Sequence, residues 1–144
     1  MRRPLLIALA AIAFVGISIE LARWLSTEGA ERSAVTDLLR AQARGDARGM
    51  LAMLRGCDAL CARKVRDDAT HLRAPGEKVL IVAFESQTSH ALTTKTATTR
   101  VVWKVAGRLP TVQCVRVRRK GSVVSGLSVS LLSLSRPIRR TAAC

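Results

Sequence analysis

The chain has 144 residues, with 24 Lys and Arg against 10 Asp and Glu, a formal net charge of +14. It has no Tyr, two Phe and two Trp. That is too few aromatic faces for a single-strand nucleic-acid platform, which stacks bases on rings set among basic residues.

Arg2-Arg3 is followed by sixteen uncharged residues, Pro4 to Ile19. As a helix these span about 24 Å, short of the roughly 30 Å hydrocarbon core of a bilayer. Leu21, Ala22, Trp24 and Leu25 extend the apolar character, and Glu20 and Arg23 share a helix face three apart, where they can pair. Trp24 stands where an interfacial aromatic would anchor the far end. The expected element is a retained N-terminal transmembrane helix over residues 4–25, within an anchor of 1–27. Two other readings compete. A cleaved signal peptide would use Gly16-Ile17-Ser18, which departs from the favoured Ala-x-Ala site. A buried helix would need polar positions that this run lacks. Arg2 and Arg3 precede the span and Arg23 and Arg32 follow it, so charge alone orients it weakly.

From Glu28 to about Arg44 the pattern is helical, with Val35, Leu38, Leu39 and Ala43 on one stripe. Gly45 is a helix stop and Asp46 a cap for a short second helix, Ala47 to Leu54. The Arg44-Gly45-Asp46 tripeptide needs no adhesive reading beyond that. Asp58 caps a third helix, Ala59 to Leu72, and Ala74-Pro75-Gly76 ends it. Asp67 and Asp68 diverge by about 100° on that helix, so they are not a catalytic carboxylate pair.

Beyond Gly76 the period changes to two. Strands are expected over Lys78–Ser86, Thr98–Ala106, Val112–Arg119 and Val123–Ser135, with turns at 107–110 and at Lys120-Gly121-Ser122. Thr99, Val101, Trp103 and Val105 share one face. In the last strand Leu127, Val129 and Leu131 alternate with serines, and then Leu132 and Leu134 do so one position out of phase. A single slip of this kind is the mark of a β-bulge near Leu131-Leu132, in a strongly curved sheet. Residues 137–144 read as a loose basic tail after a domain of 28–136. The expected fold class is α+β: an N-terminal transmembrane helix, then a helix-covered, curved four-stranded antiparallel sheet forming a cone-like roll.

Cys57 and Cys61 straddle the start of the third helix at a spacing that suits a small disulfide-closed turn, with unpaired thiols as the alternative. The four cysteines, the others being Cys114 and Cys144, can pair fully in three ways. Cys114 reads as a small semi-buried strand residue and Cys144 as free. A Cys57–Cys61 bridge would place the domain outside the cytoplasm, in agreement with Arg2-Arg3 inside. The spacing does not suit a metal site, and His71 and His90 are isolated.

Residues 1–75 hold 12 basic and 8 acidic residues, net +4, and residues 76–144 hold 12 and 2, net +10. The basic half offers Arg116, Arg118, Arg119 and Lys120 as polyanion-binding candidates for anionic lipid, envelope polymer or nucleic acid. The excess of Arg beside much Ala also has a plain source in GC-rich codon usage.

The run "LLRAQARGD", the short helix "ARGMLAML" and the meander "TTRVVWKVAGRLPTVQCVRVRRKG" resemble, over residues 31–136, the nuclear-transport-factor-two-like superfamily. That resemblance implies a cone-shaped α+β roll. Its steroid-isomerase-like enzymes place an acidic base and a Tyr donor in the cone; this chain has no Tyr, and no catalytic role carries over to Glu85. The stretch "PTVQCVRVRRKGSVVSGLSVSLLSLSRPI" is similar to membrane-anchored proteins of high-GC actinobacteria, a likeness that implies no activity.

No nucleophile elbow, His-Glu-x-x-His or phosphate loop is present. The expectation is therefore a membrane-anchored, extracytoplasmic accessory or interaction domain. It would have no cofactor, metal or catalytic residue, and its partner would be a protein or a small apolar ligand in the sheet concavity. Nucleic acid is not an expected partner. A small enzyme using the concavity, and a basic polyanion-binding module, are the alternatives.

Overall fold

A computed structural model describes residues 2–74, 76, 78–86, 95–122 and 126–144. In the first helix it describes side chains at 7, at 10–19 and from Gly29 onward. Three helices, α1 (Arg2–Arg44), α2 (Ala47–Met53) and α3 (Ala59–His71), precede four strands, β1 (Leu80–Ser86), β2 (Lys95–Lys104), β3 (Thr111–Ser122) and β4 (Gly126–Leu134).

The expected anchor and the expected first domain helix are one uninterrupted helix of 43 residues, about 64 Å long. Nothing breaks it, because its one Pro lies in the first turn, where a missing N–H costs no helical bond. Its two described parts meet different surroundings. Ile7, Ile12, Phe14, Val15, Ile17 and Ile19 are exposed, as is every residue from 10 to 19, and ten consecutive residues at about 100° each cover every side of the helix. Glu31, Val35, Leu38, Leu39 and Gln42 are fully buried, on the single stripe that packs on the sheet. Among the described residues no helix is long and apolar enough to cross a membrane. Glu20, Arg23 and Trp24, the expected outer end of the span, lie outside the described side chains.

Gly45 ends α1 at φ +75°, donating to the Gln42 carbonyl (2.9 Å) while Asp46 donates to that of Ala41 (2.9 Å). That is the glycine-terminated closure expected of a left-handed residue past a helix end. The Asp46 carboxylate then accepts from the Gly49 amide, and the Asp58 carboxylate from that of Cys61, both at 2.8 Å. Both caps stand where the sequence puts them.

The sheet is an antiparallel meander in the order β1-β2-β3-β4. Its helix-covered face carries Thr99, Val101 and Trp103 from β2, Val115 and Val117 from β3, and Leu131 and Leu134 from β4, all buried. The expected bulge is present: Arg116 faces Ser133 and Val117 faces Leu131, so Leu132 is the extra residue. A second irregularity lies between Ile81 and Ala83 in β1. The expected turn at Lys120-Gly121-Ser122 is instead strand, paired with residues 126–128.

The last segment is not a loose tail. The Ile138 amide donates to the Val112 carbonyl (2.8 Å), the Arg100 guanidinium donates to the Arg140 carbonyl, and Cys144 is disulfide-bonded to Cys114. Cys144 is thus not free. A buried relay supports the same region: Trp103 Nε1 donates to Gln113 Oε1 (2.8 Å), whose Nε2 donates to the Ser135 carbonyl (2.9 Å).

Candidate functional site

The four basic candidates of β3 divide between the two faces of the sheet, as alternation requires. Arg119 points to the helix-covered face. Its Nε donates to Glu31 Oε2 at 2.7 Å and its Nη2 to the same oxygen, with a further bond to Ser86 Oγ at 3.2 Å. Thr99 Oγ1 donates to the other carboxylate oxygen of Glu31. Glu31 is fully buried and the Arg119 side chain is 21% exposed. Arg119 is therefore committed to fastening α1 to the sheet and is not a free surface cation.

Arg116, Arg118 and Lys120 occupy the open face and are exposed. The register sets hydroxyl residues beside them. Arg116 lies between Thr98 and Ser133, Arg118 between Thr96 and Ser130, and Lys120 opposite Ser128. This is a basic, hydroxyl-rich sheet face that meets the start of α3 and, through Arg100 and the Arg140 carbonyl, the C-terminal segment.

At one end of that face lies a cleft of about 440 Å³ between the start of α3 and the strands. Its charged side chains are those of Asp58, Lys64 and Arg116; Thr98, Ser133 and Ser135 add hydroxyls. Both disulfides reach its wall, Cys57–Cys61 through Cys61 and Cys114–Cys144 through both of its cysteines. The expected Cys57–Cys61 bridge is present, with Cα atoms 5.3 Å apart. Among the described residues no group of His, Cys, Asp and Glu could hold a metal ion.

The remaining titratable candidates lie apart from the cleft. Glu85 is a surface residue whose carboxylate accepts from Arg100 Nη1 at 3.2 Å. His71 Nδ1 lies 2.8 Å from the Asp67 carbonyl in the last turn of α3, and His90 lies outside the described residues. Asp67 pairs at the surface with Arg136 (3.4 Å). Asp68, one residue on, is buried at 6% exposure with Oδ2 unpartnered. Loss of water pushes its carboxyl above the usual 3.8; the Arg136 charge opposes that rise and Asp67 adds to it.

Sequence reasoning missed Glu31, Gln42 and the cleft. A signal for the first two was present. Glu31, Val35, Leu38 and Gln42 follow the i, i+4, i+7, i+11 spacing of one helix face, with polar residues closing an apolar stripe. The cleft left no such signal, because Lys64, Thr98, Arg116 and Ser133 come from separate elements brought together only by packing and strand register.

Compared with known proteins, the chain matches no protein family, no curated protein and no solved structure.

Proposed function

We propose that this chain is a membrane-tethered, extracytoplasmic accessory or interaction domain, held at the bilayer by residues 4–25 of α1. One observation carries the reading. A single helix is apolar and exposed on every side at its start and buried on one stripe later. A helix that is apolar all round belongs in a protein core or a membrane, and the described apolar side chains of 7–19 have no core around them. The two disulfides involve all four cysteines, a state that persists in oxidising compartments. The order of elements, three helices and then a four-stranded antiparallel meander, fits the cone-like roll of the nuclear-transport-factor-two-like superfamily, and that proposal rests on this order alone.

The helix-covered face of the sheet is filled by Val35, Leu38, Leu39, Met50 and their neighbours. Among the described residues, the open face of the sheet is a surface that a partner can reach. Its exposed Arg116, Arg118 and Lys120, each beside a hydroxyl residue, favour a polyanion as the second reading. Glu85, the acid an enzyme of this shape would turn to first, is engaged by Arg100 at the surface.

Thiol labelling tests the placement. Intact cells are treated with a membrane-impermeant reductant and then with an impermeant maleimide. The reading expects labelling of Cys57 and Cys61 only after the reductant, without lysis. Labelling that needs lysis but no reductant would contradict both the compartment and the disulfide.

A further inference from the structure

We propose that the cleft between α3 and the open sheet face binds an oxyanion group, a phosphate ester or its like, and that the two disulfides keep its walls in place. The inference deepens the polyanion reading above and rests on it.

The charges argue for an anion. Arg116 and Lys64 line the cleft, and no described carboxylate forms an ion pair with either. The one acidic side chain in the lining, that of Asp58, already accepts the Cys61 amide as the helix cap. Thr98 and Ser133 lie on either side of Arg116 in the strand register. A guanidinium flanked by hydroxyls and joined by an ammonium is the donor set that oxyanions recruit, with the guanidinium able to bond two oxygens at once. A cleft of about 440 Å³ is in the range that holds a small organic molecule, so the oxyanion can be one end of a larger group.

The walls argue for dependence on oxidation. Cys61 sits in the first turn of α3, and its bond to Cys57 ties that turn to the chain before the cap. Cys144 is held on β3 by its bond to Cys114 across 30 positions. Reduction releases both walls while Arg116 stays on its strand. Thiols in place of the bridges would therefore leave the charge and lose the shape.

The test uses the full chain in nanodiscs of zwitterionic lipid, titrated with inorganic phosphate and with glycerol phosphate by calorimetry. Saturable millimolar or tighter binding is expected. It should fall about tenfold in Arg116→Gln, the scale of one lost charge-assisted hydrogen bond, and clearly in Lys64→Gln. Both residues are exposed, so these variants should fold. Arg108→Gln, between β2 and β3 and outside the cleft lining, should bind like the parent. Reduction, with the fold followed by circular dichroism, should weaken binding. Nanodiscs of anionic lipid separate the sources: if headgroups occupy the cleft, they compete with phosphate and Arg116→Gln relieves the competition. If they do not compete, the ligand is a soluble oxyanion.

Absence of phosphate and glycerol phosphate binding overturns the cleft as an oxyanion site. Equal losses in Arg116→Gln, Arg118→Gln and Arg108→Gln overturn it as well and leave only a diffuse basic face, in which case the broader polyanion reading survives. Binding unchanged by reduction overturns the role given to the disulfides.

Discussion

Glu31 carries more of this fold than its type suggests. A charged residue on a helix usually reads as solvated, yet here it is fully buried and holds Arg119 and Thr99. Removing one member of such a pair leaves the other without compensation. Glu31→Ala is expected to cost about 2–4 kcal/mol, slightly under the figure for fully buried pairs because Arg119 keeps some water contact. Arg118 is the residue before Arg119 on β3 and is exposed on the open face. Arg118→Ala is expected to stay within about 0.5 kcal/mol. Urea denaturation of the two variants checks the contrast, and a similar cost for both would contradict the assignment of Arg119 to the interior.

Asp68 makes a second residue-scale claim. Below its ordinary value of 3.8 both folded and unfolded states hold the proton. As pH rises toward the raised folded-state value the unfolded chain ionises first, so stability falls across that window and stays lower above it. Asp68→Asn removes this dependence. It is expected to have a higher Tm than the parent at neutral pH and a flatter stability profile from about pH 4 upward; a lower Tm would show that the ionised carboxylate has a partner.

At the scale of elements, the sequence speaks clearly where a local rule governs. Gly45-Asp46 stops one helix and caps the next, Asp58 caps α3, and the slip from Leu131 to Leu132 marks a bulge found at that place. These signals need only a few neighbouring residues. The Cys114–Cys144 bridge was not legible, because a strand cysteine and one 30 positions later meet only after Ile138 has returned to Val112. Nor was the continuity of α1. A change from membrane-like to amphipathic pattern alters which surroundings a helix meets without supplying a break in the backbone. The two disulfides should differ in weight. The loop entropy removed from the unfolded chain grows with loop length, and the separations are 30 and 4. Cys114→Ser with Cys144→Ser is expected to cost about 3 kcal/mol, and Cys57→Ser with Cys61→Ser about 1–2 kcal/mol. Thermal unfolding of the paired variants reads the order, and the reverse order would mean that native contacts of the α3 entrance outweigh chain entropy.

At the scale of the molecule, one long helix joins two surroundings, and a basic open face looks away from the packed one. The uneven charge of the sequence, +4 in its first 75 residues and +10 in the rest, becomes in the fold a surface of Arg116, Arg118 and Lys120 beside rows of hydroxyls. The proposed role depends most on the start of α1 remaining in a membrane. The most direct measurement is the intact mass of the protein recovered from membranes washed at alkaline pH, taken without reductant. A tethered protein stays in the pellet, its mass includes residues 1–27, and its four cysteines are all oxidised. A protein released by the wash, or one whose mass lacks the N-terminal segment, would contradict the tether.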